Sequence, residues 1–296
     1  MLRVGAAIGI FGISFSAIFV RLADVSPTTA AFFRVVYALP LLALIWGLQR
    51  HRDARPRRDR LIAVGAGVVF TADLVLWHTG IGLIGAGLAT VLANTQIVFV
   101  GIAAWAIHRE RPTTVALAAV PVILGGVLLI GGVGGTGYGD DPARGALYGL
   151  FTGLAYAAFI VLLRTANRVP GTPPSGPLLD ATLGSAISLL AIAPFEADFS
   201  FTPTWPAHGW LVLLAVVAQT IGWLLVSRTL PRLPALETSL LILVQPAGTL
   251  LWARLVFGET PSAIQWIGVA VVLVGVTAAA GRTTVRRSAE ATLRQT

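Results

Sequence analysis

Long apolar stretches alternate with short polar joints along almost the whole chain. Ten of the stretches approach the roughly 20 residues that a helix needs to cross a bilayer. They predict transmembrane helices at 4–20, 30–48, 61–78, 85–107, 113–132, 143–163, 177–194, 208–227, 236–257 and 262–281. The first begins like a secretion signal, with Arg3 ahead of an apolar core. However, Gly5-Ala6, Gly9, Phe11 and Phe19 recur as Gly145-Ala146, Gly149, Phe151 and Phe159. A segment echoed in the sixth stretch reads as a retained helix.

The echo extends further. Gln96, an apolar run, Glu110 and Pro112 return as Gln245, an apolar run, Glu259 and Pro261, at an offset of 149 residues. The same offset pairs Thr90-Val91-Leu92 with Ser239-Leu240-Leu241 and Gly126-Val127 with Gly275-Val276. The expected fold is all-α: ten transmembrane helices in two five-helix repeats at 1–132 and 143–281. A Gly-rich linker at 133–142 joins them, and a tail at 282–296 follows.

Composition strengthens this picture. Of 296 residues, 56% are hydrophobic and 11% are charged, against about 25% charged in a typical soluble protein. Mean hydropathy is +0.82. The net charge of +8 comes from arginine alone, because lysine is absent. The arginines fall in alternate joints: six between residues 50 and 60, then Arg109, Arg111, Arg164, Arg168, Arg228 and Arg232, and the tail. The opposite joints hold only Arg21 and Arg144, and they carry Asp24, Asp140, Asp141, Glu196, Asp198 and Glu259. The positive-inside rule then places both termini in the cytoplasm. Five helices per repeat is an odd number, so the second repeat enters from the other side and the two are inverted.

Several function classes drop out. Without cysteine there are no disulfides, thiolate metal sites or cysteine nucleophiles. Basic residues do not interleave with aromatics as a nucleic-acid groove requires. Gly132, Gly134 and Gly137 have dinucleotide-fingerprint spacing but follow an apolar span rather than a strand. They read as a flexible linker. Gly137-Tyr138-Gly139-Asp140 imitates an intramembrane aspartyl protease motif, but in a loop. HExxH and GxSxG are missing, and the four histidines do not cluster. Neither an enzyme, a metal site nor a cofactor is expected.

Polar groups within the apolar stretches are the candidate chemistry, since burial in hydrocarbon is costly and tends to mark function. Arg34 and Asp73 lie at similar depth and can pair. Asp73 and Trp77, one helical turn apart, are echoed by Gln219 and Trp223. Each repeat therefore sets a polar group beside an indole, and only one of these groups titrates. Asn94, Gln96 and Gln245 lie about midway along their spans. Such amides hydrogen-bond helices together or bind polar substrates. Glu110 and Glu259 close their spans and suit caps for the helices that follow.

The chain resembles EamA-domain transporters of the drug/metabolite transporter superfamily. The resemblance rests on Arg34 after Ser26-Pro27, on Asn94 to Glu110 with Trp105, on Leu243-Val244-Gln245-Pro246 to Gly258-Glu259, and on the Gly-Val pairs. Asp73-Leu74 with Trp77-His78 is similar to one subgroup. The family pattern has proline where this chain has Ile97. The resemblance implies ten helices, cytoplasmic termini, and export or exchange of small metabolites. The expectation is a secondary transporter in the cell membrane, working by alternating access. Asn94, Gln96, Gln219, Gln245, Trp77 and Trp223 would bind substrate. Asp73, with Arg34 and His78, would serve coupling or ion pairing. Expected partners are a small-molecule substrate, the lipid bilayer, protons for coupling and, allowed by this reading, a second copy in a homodimer. The rival class is a non-transporting scaffold or an intramembrane enzyme.

Overall fold

A computed structural model describes residues 2–108, 114–133, 135, 137–229 and 235–293. Glu110, Pro112 and Arg232 lie outside them. The described residues are helical and joined by short loops. In chain order the helices are α1 (Leu2–Ser14), α2 (Ser16–Ala23), α3 (Pro27–Gln49), α4 (Arg57–Ile84), α5 (Ala86–Ala93), α6 (Gln96–His108) and α7 (Thr114–Ile130). They continue as α8 (Pro142–Ala166), α9 (Ser175–Ile192), α10 (Ala207–Leu213), a π-helical stretch Leu214–Gly222, α11 (Trp223–Thr229), α12 (Ala235–Phe257) and α13 (Ala263–Leu293). Among the described residues, seven helical stretches are long and apolar enough to cross a membrane. Three shorter apolar helices lie at Thr114–Ile130, Leu243–Phe257 and Ala263–Ala279. Helices suit this setting because they satisfy their own backbone hydrogen bonds, which lipid cannot do. The outer surface is correspondingly apolar: Val274, Leu255, Leu44 and Leu48 are all more than half exposed.

Two expected continuous spans are interrupted. At the α1–α2 break, Thr249 Oγ1 donates to the freed Ser14 carbonyl at 2.8 Å, and Trp252 Nε1 to Ser14 Oγ at 3.1 Å. The α5–α6 break falls at Asn94-Thr95, although this half lacks the family's proline. There Asn94 Nδ2 donates to its own helix at Thr90 O, 2.8 Å away. That bond offers the backbone an alternative to the helical ladder. Gly153 lets the Thr95 backbone and Gln96 N approach α8 closely. α12, by contrast, continues through Pro246.

Packing pairs the segments in a recurring way. α4 packs on α8 and α9, while the α10–π–α11 segment packs on α1, α2 and α3. α3 meets α9, α5 meets α12, and α7 meets α13. The α4–α9 crossing brings backbones into contact. A Cβ at Gly67 would collide with the Ala181 carbonyl, and one at Gly184 with the Val64 carbonyl. Small residues at such crossings let helices associate without a hydrophobic driving force.

Within the described part of the linker, Tyr138 and Asp141 are held by hydrogen bonds. Fully buried Gln265, on α13, accepts from Tyr138 N at 2.7 Å and donates to Ile130 O at 3.0 Å. Asp141 N donates to Leu83 O at 3.2 Å, and Asp141 Oδ1 caps α8 through Arg144 N.

Candidate functional site

The polar groups chosen for their cost in a membrane do not all gather in one place. A first group forms around Arg34 on α3, which is buried. Its Nε donates to Gln219 Oε1 at 2.9 Å. Its Cζ stands 5.7 Å from the Phe70 ring centroid and 5.8 Å from that of Trp77, within cation–π range. The expected direct pair with Asp73 does not form in this structure. Asp73 is within electrostatic reach of Arg34, but the guanidinium is turned to the neutral amide of Gln219.

The π-helix explains how Gln219 gets there. Its wider turns run through Gln219, and Thr220 Oγ1 donates to Ala215 O at 2.9 Å, five residues back. π-Helical turns are rare and often mark functional positions. Gln219 is fully buried.

Around Arg34 the aromatic walls are continuous. Phe70 stacks on Phe159 at 4.3 Å, and Trp223 stands edge-on to Phe159 at 5.5 Å and to Tyr156 at 6.1 Å. Trp77 is 5.4 Å from His78. His78 Nδ1 lies 3.0 Å from the Pro27 carbonyl. A carbonyl only accepts, so Nδ1 carries the hydrogen.

This group holds several of the described residues' buried polar atoms that lack a partner. Gln219 Nε2, Trp77 Nε1 and His78 Nε2 are shut from solvent and find no partner. Among the described residues the buried Asp73 carboxylate also makes no hydrogen bond or ion pair. Buried polar atoms are nearly always satisfied, so a cluster of exceptions calls for an explanation. Convergent donors and acceptors among aromatic walls are what a polar or amphipathic ligand requires.

Asn94, Gln96 and Gln245 are a separate matter, since none of their side chains bonds to the Arg34 group. Asn94 is spent on Thr90 O, and Gln96 Oε1 is buried without a partner. Gln245 is half-buried, and its carbonyl lies 3.0 Å from Thr249 Oγ1, whose one hydrogen it shares with the Ser14 carbonyl.

Tyr156, on α8, was missed in the sequence. It has no counterpart in the other repeat. The available signal was a phenol inside an apolar span, three residues before Phe159. The pair Tyr37–His208 was missed too. Tyr37 Oη lies 2.6 Å from His208 Nδ1, one turn along α3 from Arg34.

Glu259 is buried and structural, but it does not cap the helix that follows it. Its Oε1 accepts from Ala86 N at 2.7 Å and its Oε2 from Gly87 N at 3.1 Å, the first amides of α5 in the other half. Arg21 of α2 pairs with the same carboxylate. Gly85 is required beside it. Its φ is +89°, and a Cβ would sit 2.8 Å from the Glu259 carboxylate.

A second charged cluster fastens the loop after α3. Arg55 Nε donates to Asp53 Oδ1 at 2.9 Å, Trp46 Nε1 to Asp53 Oδ2 at 2.9 Å, and Arg55 reaches Asp180 of α9 at 2.9 Å. Burial alone would raise the Asp53 pKa. Hydrogen bonds from Arg55 and Trp46, and the charge of Arg55, outweigh burial and hold it at about 2.

Comparison with known proteins agrees with this architecture. The chain is 23% identical over 278 residues to the uncharacterized transporter YwfM of Bacillus subtilis, covering 91% of this chain and 90% of that one. It is 25% identical over 265 residues to an uncharacterized transporter of Synechocystis, covering 84% and 79%. A chain in a solved crystal structure superposes with a TM-score of 0.61 over 96% of this chain and 98% of its own. At 18% identity that likeness is one of fold. The model of the EamA-like transporter family matches residues 3–132 and again 143–280, and the chain belongs to that family.

Proposed function

We propose that the protein is a secondary transporter that exports or exchanges a small polar or amphipathic metabolite by alternating access. The observation that carries this reading is the set of unsatisfied buried groups around Arg34. Arg34, Gln219 and Trp77 supply donors, Asp73 and His78 supply acceptors, and Phe70, Tyr156 and Trp223 supply walls. They come from both halves, as expected of a site at a repeat interface near the bilayer midplane.

The packing pattern supports two inverted five-helix halves with ten crossings. Exchanging the halves turns the α4–α8 contact into the α1 contact with the π-helix and α11, and returns α3–α9, α5–α12 and α7–α13 to themselves. Both termini then lie in the cytoplasm. Asn94, Gln96 and Gln245, near the α5–α6 break and Pro246, line the path rather than the central group.

Asp73 is the coupling residue in this reading. It is an acid without a partner beside an arginine held by a neutral amide. Proton uptake or substrate arrival changes which group Arg34 satisfies, and differential stabilisation of the two partner choices biases the two access states. The substrate is to be identified by untargeted metabolite profiling of cells with and without the gene, followed by flux of the enriched compound in proteoliposomes. Metabolite profiles that coincide, with no flux from reconstituted protein, would favour a non-transporting scaffold.

A further inference from the structure

The groups left unspent around Arg34 are mostly donors, and that imbalance selects a kind of ligand. Arg34 spends its Nε hydrogen on Gln219. Among the described residues its Nη1 and Nη2 make no hydrogen bond or ion pair, and each holds a pair of hydrogens. Their planar fork matches the two oxygens of a carboxylate. Gln219 Nε2 and Trp77 Nε1 are further donors, shut from solvent and without a partner. The unspent acceptors are fewer: the Asp73 carboxylate and, in the neutral ring, His78 Nε2. We infer that the substrate is a small organic carboxylate without an ammonium group, held by the Arg34 fork and the N–H groups of Gln219 and Trp77.

This assignment rests on the proposed role of Asp73 as the coupling acid. Arg34 keeps its charge at any working pH. Asp73, on α4, is within electrostatic reach of Arg34 and of the Tyr156 phenol on α8. With a proton on Asp73, and with His78 and Tyr156 neutral, the group carries one positive charge. A monoanion balances it, and unbalanced charge within a membrane is costly. A carboxylate set beside ionised Asp73 would meet like charge, so the anion and the proton bind together. An ammonium group would compete with the proton for the Asp73 oxygens and would face the guanidinium. A phosphate dianion would exceed the charge available. The remainder of the ligand meets rings: Phe70 and Trp77 face the guanidinium, and Trp223 stands 6.4 Å from Phe70.

The test is calorimetric titration of the full-length protein in detergent at neutral pH. The probes share one ring and differ in charge: phenylacetate, phenylacetamide, phenethylamine and phenylalanine. Phenylacetate is expected to bind, and phenylacetamide about tenfold more weakly, since it offers no charged acceptor. The two ammonium compounds should bind more weakly than phenylacetate. W77F keeps a ring and loses the N–H, and it should weaken phenylacetate about tenfold with little effect on phenylacetamide. R34K keeps the charge and loses the fork, and it should lower the same ratio. A general loss of folding would weaken both ligands alike and leave the ratio unchanged. D73N should bind phenylacetate at least as tightly as the wild type. Tighter binding of phenethylamine or phenylalanine than of phenylacetate would overturn the assignment. So would a wild type that does not bind phenylacetate, or a ratio unchanged in W77F and R34K. Phenylacetate binding without flux in proteoliposomes would refute transport and keep the ligand class. Flux of an amine would do the reverse.

Discussion

Arg34 gives its Nε hydrogen to Gln219 at 2.9 Å and leaves the nearby Asp73 carboxylate without a partner. A buried guanidinium bound to a neutral amide, with an unpaired acid in reach, is a costly arrangement inside a membrane. The two helices that supply the pair, α3 and the π-helical segment, belong to different halves. Their bond therefore links the halves through a single charged hydrogen bond.

That bond has a measurable strength. R34Q and Q219L should each destabilise the detergent-purified protein by about 1–3 kcal/mol. The double variant should cost less than the two together, because each single change already removes the shared bond. Additive effects in a double-mutant cycle of thermal unfolding would mean the two side chains act independently.

Glu259 provides a second link between the halves. E259Q keeps the shape but weakens acceptance from Ala86 N and Gly87 N and removes the charge that faces Arg21. Loss of an N-terminal cap and its charge at α5 should lower stability by about 1–2 kcal/mol. R21Q should cost less, since the Arg21 side chain is 33% exposed against 2% for Glu259. Chemical denaturation of the three proteins side by side would rank them, and R21Q falling below E259Q would reverse the assignment.

The Asp53 cluster makes a prediction about pH. The folded pKa of about 2 lies below the ordinary value of 3.8. Depression of an acid in the folded state stabilises the fold above the ordinary value, and the contribution is lost as pH falls through the folded one. The wild type should lose stability relative to D53N between pH 4 and pH 2. Parallel acid titrations of the two proteins with constant differences would show that Asp53 is not linked to folding.

Absence of native cysteine makes orientation directly accessible. Single cysteines at Arg52 and Asp198, both exposed, lie on opposite sides in the proposed topology. In intact cells a membrane-impermeant maleimide should label D198C and spare R52C until the membrane is opened. Labelling in the reverse order would invert the assignment of the termini.

Much of this was legible in the chain. The helical class followed from long apolar runs, the repeat from Gln96 to Pro112 and its echo, and the family from these together with Arg34 after Ser26-Pro27 and the Gly-Val pairs. Asp73, Trp77, Gln219 and Trp223 stood out because a polar group beside an indole recurs at helical spacing. What stayed hidden depends on contacts distant in sequence. Neither proline nor a glycine pair announces the π-helix. The break at Asn94-Thr95 arises where Gly153 admits a close approach, in a span with Ile97 where the family pattern has proline. Glu259 caps α5 rather than its own successor, because packing brings that N-terminus nearer. Arg34's preference for Gln219 over Asp73 is likewise set by which side chain the π-turn aims at it.

The most direct test of the central claim is pH-gradient-driven uptake of the profiled metabolite into proteoliposomes holding wild-type protein or D73N. The account predicts accumulation by the wild type that disappears when the gradient is collapsed. It predicts only downhill equilibration by D73N. Full gradient-driven accumulation by D73N, or none by the wild type, would contradict it.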